Sequence, residues 1–327
     1  MRFVVYGAGA VGGVIGSELF AAGHDVRLIA RGEHGAAIAR EGLRCELPER
    51  VRIQRIPVAA GPAEIDWSGE DVVVVLAVKS QDSAGALAAL EAAAGCEVSV
   101  ACAQNGVENE RVVLRRFARA YSVVVVLPAT HIEPGVVVAH SAPVTGLLDI
   151  GCVPDGVDRR CVEIAAALSG AGFVAEARED ISRWKYAKLL RNLANAVDAL
   201  FADPEGAGAA EVTRLAIAEG VAVLAAAGID HVPLEQFDRR HRELITLRPV
   251  TGRPREGGSS WQSLARGTGA IETEQLNGEV VLLGRRHGVA TPVNEALRRL
   301  AGEAARTGAK PRGLRDAAAF LRAAADG

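Results

Sequence analysis

Uninterrupted apolar runs alternate with helical-period stretches through the first half of the chain, and that alternation predicts its elements. Runs at 3–6, 25–30, 71–78, 97–101 and 121–127 read as strands. Those at 71–78 and 121–127 are rich in β-branched residues and lack polar alternation, as a sheet buried on both faces requires. Helical candidates fall at 33–41, 83–94, 107–118 and 158–170. Two segments bracketed by glycine and proline, 135–140 and 146–150, read as an antiparallel addition at the sheet edge. Beyond residue 180 the character changes. Ala- and Leu-rich stretches at 181–201, 209–228, 270–287 and 293–306 carry helical periodicity, with no strand pattern among them. The expected fold is therefore α/β: an N-terminal doubly wound sheet over 1–175 and an all-helical C-terminal domain over 176–327. The loosest loop is 249–259.

The first strand breaks directly into Gly7-Ala8-Gly9-Ala10-Val11-Gly12, followed by a helix and a second strand that ends at Arg31. This is the dinucleotide fingerprint at the start of a βαβ unit, which makes the sheet Rossmann-type. Gly7 allows the tight turn, Gly9 lets the backbone approach a pyrophosphate, and Gly12 lets the helix pack against the strand. NAD-binding units usually close the second strand with an acidic residue that holds the ribose 2′-hydroxyl. An arginine accommodates a 2′-phosphate instead. Here Arg31 precedes Gly32, and the first carboxylate is Glu33, so the preferred cofactor is NADP(H); a solvated loop arginine is the alternative.

At 327 residues the chain suits two domains, each able to bury a core. A net charge of −3 and 4% aromatic content give no drive toward nucleic acid or anionic membrane and no base-stacking surface. Arginines gather at Arg239-Arg240-His241-Arg242 and through 298–322, where interspersed carboxylates suggest a solvated helix face. Five cysteines without a CxxC pair fit reduced thiols rather than disulfides or zinc, and the seven histidines show no ligand spacing. No apolar segment reaches ~18 residues and the N-terminus lacks signal-peptide form, so a cytoplasmic protein without metal is expected.

Ligands in such sheets bind outside the carboxyl ends of the strands. Two loops there carry polar residues: Val78-Lys79-Ser80-Gln81 and Ala103-Gln104-Asn105-Gly106. Asn105-Gly106 also serves as an ordinary turn. Lys79 has no turn role, and a phosphate or ribose would explain it. In the helical half, Lys188, Asn192 and Asn195 share one face at about 100° per residue, with Asn195 only ~20° from the lysine's azimuth. A surface stripe and a purposeful set of one ammonium beside two amides both fit that spacing.

The sequence resembles the ketopantoate reductase (2-dehydropantoate 2-reductase) family over nearly its whole length. The resemblance rests on the glycine turn, Arg31, Val78-Lys79, Gln104-Asn105-Gly106, and the Trp184…Lys188…Asn192 helix. Ser259-Ser260 followed by Glu272, Asn277-Gly278, and Gly288-Val289-Ala290-Thr291-Pro292 also match. It implies NADPH-dependent reduction of a branched 2-oxo acid in a cleft between the domains, feeding pantothenate and coenzyme A synthesis. By that resemblance Lys188 is the general acid and oxyanion stabiliser. Asn192 and Asn195 orient the substrate, Ser260 holds its carboxylate, and Asn105 bridges cofactor and substrate. Glu272 lies near the cofactor and favours the charged lysine. Gly7 to Gly12, Arg31 and Lys79 complete the cofactor set.

Departures cluster on the substrate side. The second helix asparagine usually lies eight residues after the lysine, where this chain has Ala196; Asn195 stands at seven. Leu264, Gly269 and Trp261 replace an aspartate, an arginine and a methionine of the family pattern. NADP-linked reduction is thus better supported than ketopantoate as the substrate. The alternatives are a paralogous dehydrogenase for another hydroxy or keto acid, and a catalytically idle NADP(H)-binding sensor. An apolar helix face could pack within the chain or pair two subunits, so a homodimer stays open.

Overall fold

The structure, a computed structural model, describes residues 1–69, 71–267 and 269–325. The described strands are β1 (Arg2–Tyr6), β2 (Asp25–Ile29), β3 (Leu43–Leu47), β4 (Arg50–Gln54), β5 (Val58–Ala59), β6 (Val72–Leu76), β7 (Ser99–Cys102), β8 (Arg119–Val126), β9 (Ala129–Thr130), β10 (Val136–Ala139) and β11 (Leu147–Cys152). Seven form one sheet in the order β11-β8-β7-β6-β1-β2-β5. All its pairs are parallel except β11 with β8, which closes one edge antiparallel. The order reverses at β1, between β2 and β6, and the glycine turn leaves the carboxyl end of β1, the switch point of a doubly wound sheet.

Residues on β1 alternate between the two faces, and both faces are buried. Phe3 and Val5 join one core cluster, whereas Val4 and Tyr6 join the other. That explains why the central strands read as unbroken apolar runs. The helix Ala10–Ala21 is also buried on two sides. A Cβ on Gly16 would meet Leu28 Cδ2 at 2.7 Å, and one on Gly13 would meet Val137 Cγ1 at 2.7 Å. Val137 belongs to a second sheet, of order β4-β3-β10-β9. Glu18 of the same helix is 2% exposed on its side chain and pairs with Arg50 at 2.6 Å and Arg52 at 2.5 Å, fixing β4 in place.

This second sheet corrects one expectation. Segment 146–150 does become the antiparallel edge strand β11, but 135–140 does not join it. β10 pairs in parallel with β3, a strand that sequence reading passed over. The alternation Leu43-Arg44-Cys45-Glu46-Leu47 was the available signal, since its apolar members are buried and Arg44 is not.

The chain forms two compact units, each discontinuous in sequence. One comprises Met1–Gln104, Asn109–Lys185 and Pro233–Arg255; the other comprises Asn105–Glu108, Tyr186–Val232 and the chain from Glu256 onward. A single cut at 175/176 does not describe this grouping. Pro233–Arg255 carries the helix Leu234–Leu244, which contains the arginine cluster expected on a solvated helix face. Its Arg240 leaves the solvated face and bonds Asp149 at 3.0 Å, a carboxylate with no exposed side-chain surface that also takes Arg178 at 2.5 Å. Among the described residues, no named strand falls in the second unit. The 181–201 stretch divides at Leu193 into Ile181–Asn192 and Ala194–Leu200, and its part up to Lys185 belongs to the first unit.

Candidate active site

In the sheet unit, the glycines of the turn separate by role. Gly7 has φ +102°, and a Cβ there would lie 2.8 Å from Val78 N. Gly12 is tighter still, since its Cβ would fall 2.1 Å from Gly7 O. Both are required by the fold itself. Gly9 is different: φ is −71° and an added Cβ would meet nothing within 4 Å. No side chain caps the helix that starts at Ala10, so its first N–H groups are left for a ligand. Space that the protein leaves open at Gly9, beside an uncapped helix start, fits a pyrophosphate.

The flanking residues are placed consistently with that. Arg31 is exposed at the start of the helix Gly32–Glu41. Its charge acts on the Tyr6 phenol at the end of β1, where burial raises the pKa and Arg31 lowers it. Lys79 is half-buried in the loop after β6, one residue beyond Val78, which abuts Gly7. Gln104, 5% exposed, holds that loop: its amide donates to Val78 O at 2.7 Å and to Ser83 Oγ at 2.9 Å. Ser83 and Asn109 extend the network to Ser80. Gln104 therefore shapes the loop that carries Lys79.

Sequence reading missed Lys185. It is 5% exposed and lies 2.9 Å from Glu110 Oε1, and it donates to Gln104 O at 3.0 Å and Val123 O at 3.3 Å. Ser122 Oγ donates to the same carboxylate at 2.8 Å. This buried pair ties the ends of β7 and β8 together. Its signal in the sequence was a second lysine on the Lys188 helix, but the partner carboxylate is remote along the chain.

In the helical unit, Lys188 Nζ donates to Asn192 Oδ1 at 2.9 Å, and Asn192 Nδ2 donates to Asn105 Oδ1 at 3.2 Å. Asn192 is 3% exposed. The structure thus joins three of the sequence-selected residues in one chain of hydrogen bonds. Asn195 is half-buried, and its amide reaches Ser259 Oγ at 3.5 Å rather than Ser260. Ala196, at the family's usual position, is 1% exposed and faces the core, so the polar direction at this turn is held by Asn195. Ser260 is 3% exposed on the helix Ser259–Ala265. Asp198, unselected from sequence, accepts from Gly258 N at 2.7 Å and so sets the entry to that helix.

Glu272 is 4% exposed at the start of a 3₁₀ turn. Its charge acts on Arg266, whose guanidinium is lowered by burial and raised by Glu272. Trp261 lies over Gly257, with a Cβ there only 2.4 Å from its Cγ. Leu264 is 6% exposed and Gly269 is exposed. Among the described residues, no group of His, Cys, Asp or Glu could hold a metal ion.

A glycine turn of this kind on a parallel sheet places the sheet unit in the class of dinucleotide-binding folds, and in the helical unit a lysine is bonded to an asparagine amide. Residues 3–155 match the family described as Ketopantoate reductase PanE/ApbA, and residues 180–305 match its C-terminal counterpart. The 2-dehydropantoate 2-reductase of Halobacterium salinarum is 32% identical over 94% of this chain and 100% of its own length. That of Pyrococcus horikoshii is 28% identical over 90% of this chain and 94% of its own. A ketopantoate reductase structure from Ralstonia eutropha superposes with a TM-score of 0.79 at 30% identity, covering 94% of this chain and 99% of that one. D-mandelate dehydrogenase with NADH shares the fold at a TM-score of 0.80 and 22% identity, over 94% and 99% of the two chains. The chain belongs to the ketopantoate reductase family, and it is an oxidoreductase acting on a CH–OH or keto group.

Proposed function

We propose that this protein reduces 2-dehydropantoate to pantoate with NADPH, a step of pantothenate and coenzyme A biosynthesis. Residues 1–175 bind the cofactor through Gly7, Ala8, Gly9, Ala10, Val11, Gly12, Arg31 and Lys79. Residues 176–327 supply the catalytic side chains. NADPH, when bound, supplies the hydride. Lys188 gives a proton to the forming alkoxide, and its charge stabilises the oxygen as negative charge develops. Asn192 accepts a hydrogen bond from that ammonium, and Asn105 accepts one from the amide of Asn192 in turn. Asn195 orients the substrate, Ser260 binds its carboxylate, and Glu272 keeps the local field favourable to a cation.

The observation that carries this reading is the Lys188–Asn192–Asn105 relay: a half-buried ammonium 2.9 Å from the Asn192 amide oxygen, with that amide bonded to Asn105 in turn. The test is a panel of 2-oxo acids assayed with NADPH and with NADH. The highest kcat/KM is expected for 2-dehydropantoate with NADPH. A higher value for another acid would overturn the substrate assignment.

The finer setting is part of the same proposal. The enzyme acts in the cytoplasm, which its five free thiols support, and without nucleic acid or membrane as partner. Among the described residues, no helix is long and apolar enough to cross a membrane. Val221 and Leu282, exposed on neighbouring helices of the second unit, support a homodimer. Light scattering that returned the mass of one 34.1 kDa chain would remove that assignment.

A further inference from the structure

His34 has no role in the reading above, yet it touches the glycine turn directly. It stands on the helix Gly32–Glu41, half-buried, with Nε2 2.7 Å from Ala8 O. On its other side, Gly135 N donates to Nδ1 at 2.8 Å. A carbonyl oxygen only accepts, so Nε2 must carry the proton, and an N–H only donates, so Nδ1 must be bare. The two bonds together select one neutral tautomer. The ring thus links the turn after β1 to the turn before β10.

The Ala8 carbonyl is half of the Ala8–Gly9 peptide. A trans peptide is planar, so its C=O and the following N–H point in opposite directions. Holding the carbonyl at the imidazole aims the Gly9 N–H the other way. Gly9 is also the residue that the fold does not require to be glycine. We propose that His34 is a positioning residue for nucleotide binding: its neutral ring orients the Ala8–Gly9 peptide that the dinucleotide phosphates need. The inference rests on the reading of this turn as the dinucleotide site.

Protonation would undo the arrangement. A second proton would sit on Nδ1 and face the Gly135 N–H, converting a hydrogen bond into a donor–donor clash. Burial holds the ring below the ordinary histidine value of 6.5, with the bond to Ala8 pulling the other way. The glycine turn and Gly135 present only backbone to the ring. The titratable neighbour in contact is His131, its ring tilted by 50° at 4.1 Å between centroids and its Nδ1 3.0 Å from Val136 O. On its own helix, Arg31 and Glu33 precede His34, and both are exposed. Nucleotide affinity should therefore be full at neutral pH and fall as pH drops through the histidine's lowered pKa.

The test measures Kd for NADPH and for NADH by fluorescence titration between pH 5 and pH 8. The subjects are the full wild-type chain, His34→Gln and His34→Ala, with His131→Gln as a control. NADH is included because the 2′-phosphate of NADPH ionises in the same range. His34→Ala is expected to weaken both nucleotides at pH 8 by roughly tenfold, the net worth of one such bond. The acid weakening of NADH binding should appear in wild type and His131→Gln and vanish in both His34 variants. His34→Gln, which keeps a donor and an acceptor but gains no proton, guards against a folding defect in the alanine variant. Wild-type affinity in His34→Ala, or an acid step that survives in both His34 variants, would overturn the inference alone. A wild-type chain that binds neither nucleotide would overturn the dinucleotide reading as well.

Discussion

Lys185 and Lys188 lie one turn apart on the same helix and meet opposite surroundings. Lys185 is enclosed, 5% exposed, with a carboxylate and two backbone carbonyls around its ammonium. Lys188 is half-buried and donates to the Asn192 amide oxygen at 2.9 Å. Enclosure beside a carboxylate commits Lys185 to the fold, whereas partial exposure keeps Lys188 within reach of a ligand. The glycine turn repeats the contrast: Gly12 is glycine because Gly7 O would collide with a Cβ, and Gly9 is glycine with nothing of the protein nearby. In both units, the residues fit for function are those that stay open: Lys188 is half-buried, and Gly9 has space beside it.

The contrast predicts its largest effect at the enclosed lysine. Lys185→Met would leave Glu110 charged and buried without its counter-ion, a loss of about 3–5 kcal/mol. For a unit of this size that corresponds to a fall in melting midpoint on the order of 10 °C. The double variant Lys185→Met with Glu110→Leu should recover most of it, because replacing a buried pair by apolar groups is often near neutral. A single-variant shift as small as that of an exposed ion pair would show that the pairing is not holding β7 and β8.

Lys188→Ala should do the reverse. The melting midpoint should stay close to that of wild type, while turnover at saturating substrate falls ~10²-fold or more, as for loss of a positioned general acid. Stopped-flow NADPH oxidation measures it directly. Unchanged turnover would take the proton-donor role from Lys188, and a large stability loss would mean that the two lysines do not differ as described.

How much of this could be read from the chain alone depends on how local each signal is. The glycine turn, Arg31 and the Lys188–Asn192 pair are set by spacing within one or two elements, and the structure places them in the expected elements. Asn195 stands half-buried beside Ser259, a neighbour that helix spacing does not indicate. The hairpin of β3 and β4 escaped because its charged positions, Arg50, Arg52 and Glu46, look solvent-facing until Glu18 and Arg253 supply partners from distant segments. The helix Leu234–Leu244 was legible only as a solvated arginine face, because Phe237 is its buried residue. Lys185 looked like any helix lysine without Glu110. What was missed is pairing across long stretches of chain, which periodicity does not record.

Arg31 offers the smallest and most selective effect. It is exposed, so removing it opens no cavity and leaves no buried charge unpaired. Its value lies in a charge-assisted bond to a 2′-phosphate, which NADH lacks. Arg31→Ala should therefore raise Kd for NADPH roughly tenfold or more while changing that for NADH little. Added salt should narrow the wild-type preference, since an exposed ion pair is screened. Arg31 would then be, like the half-buried Lys188, a charge within reach of a ligand. Equal losses for the two nucleotides would mean that it supports the turn instead, and would move Arg31 to the side of the comparison where Lys185 stands.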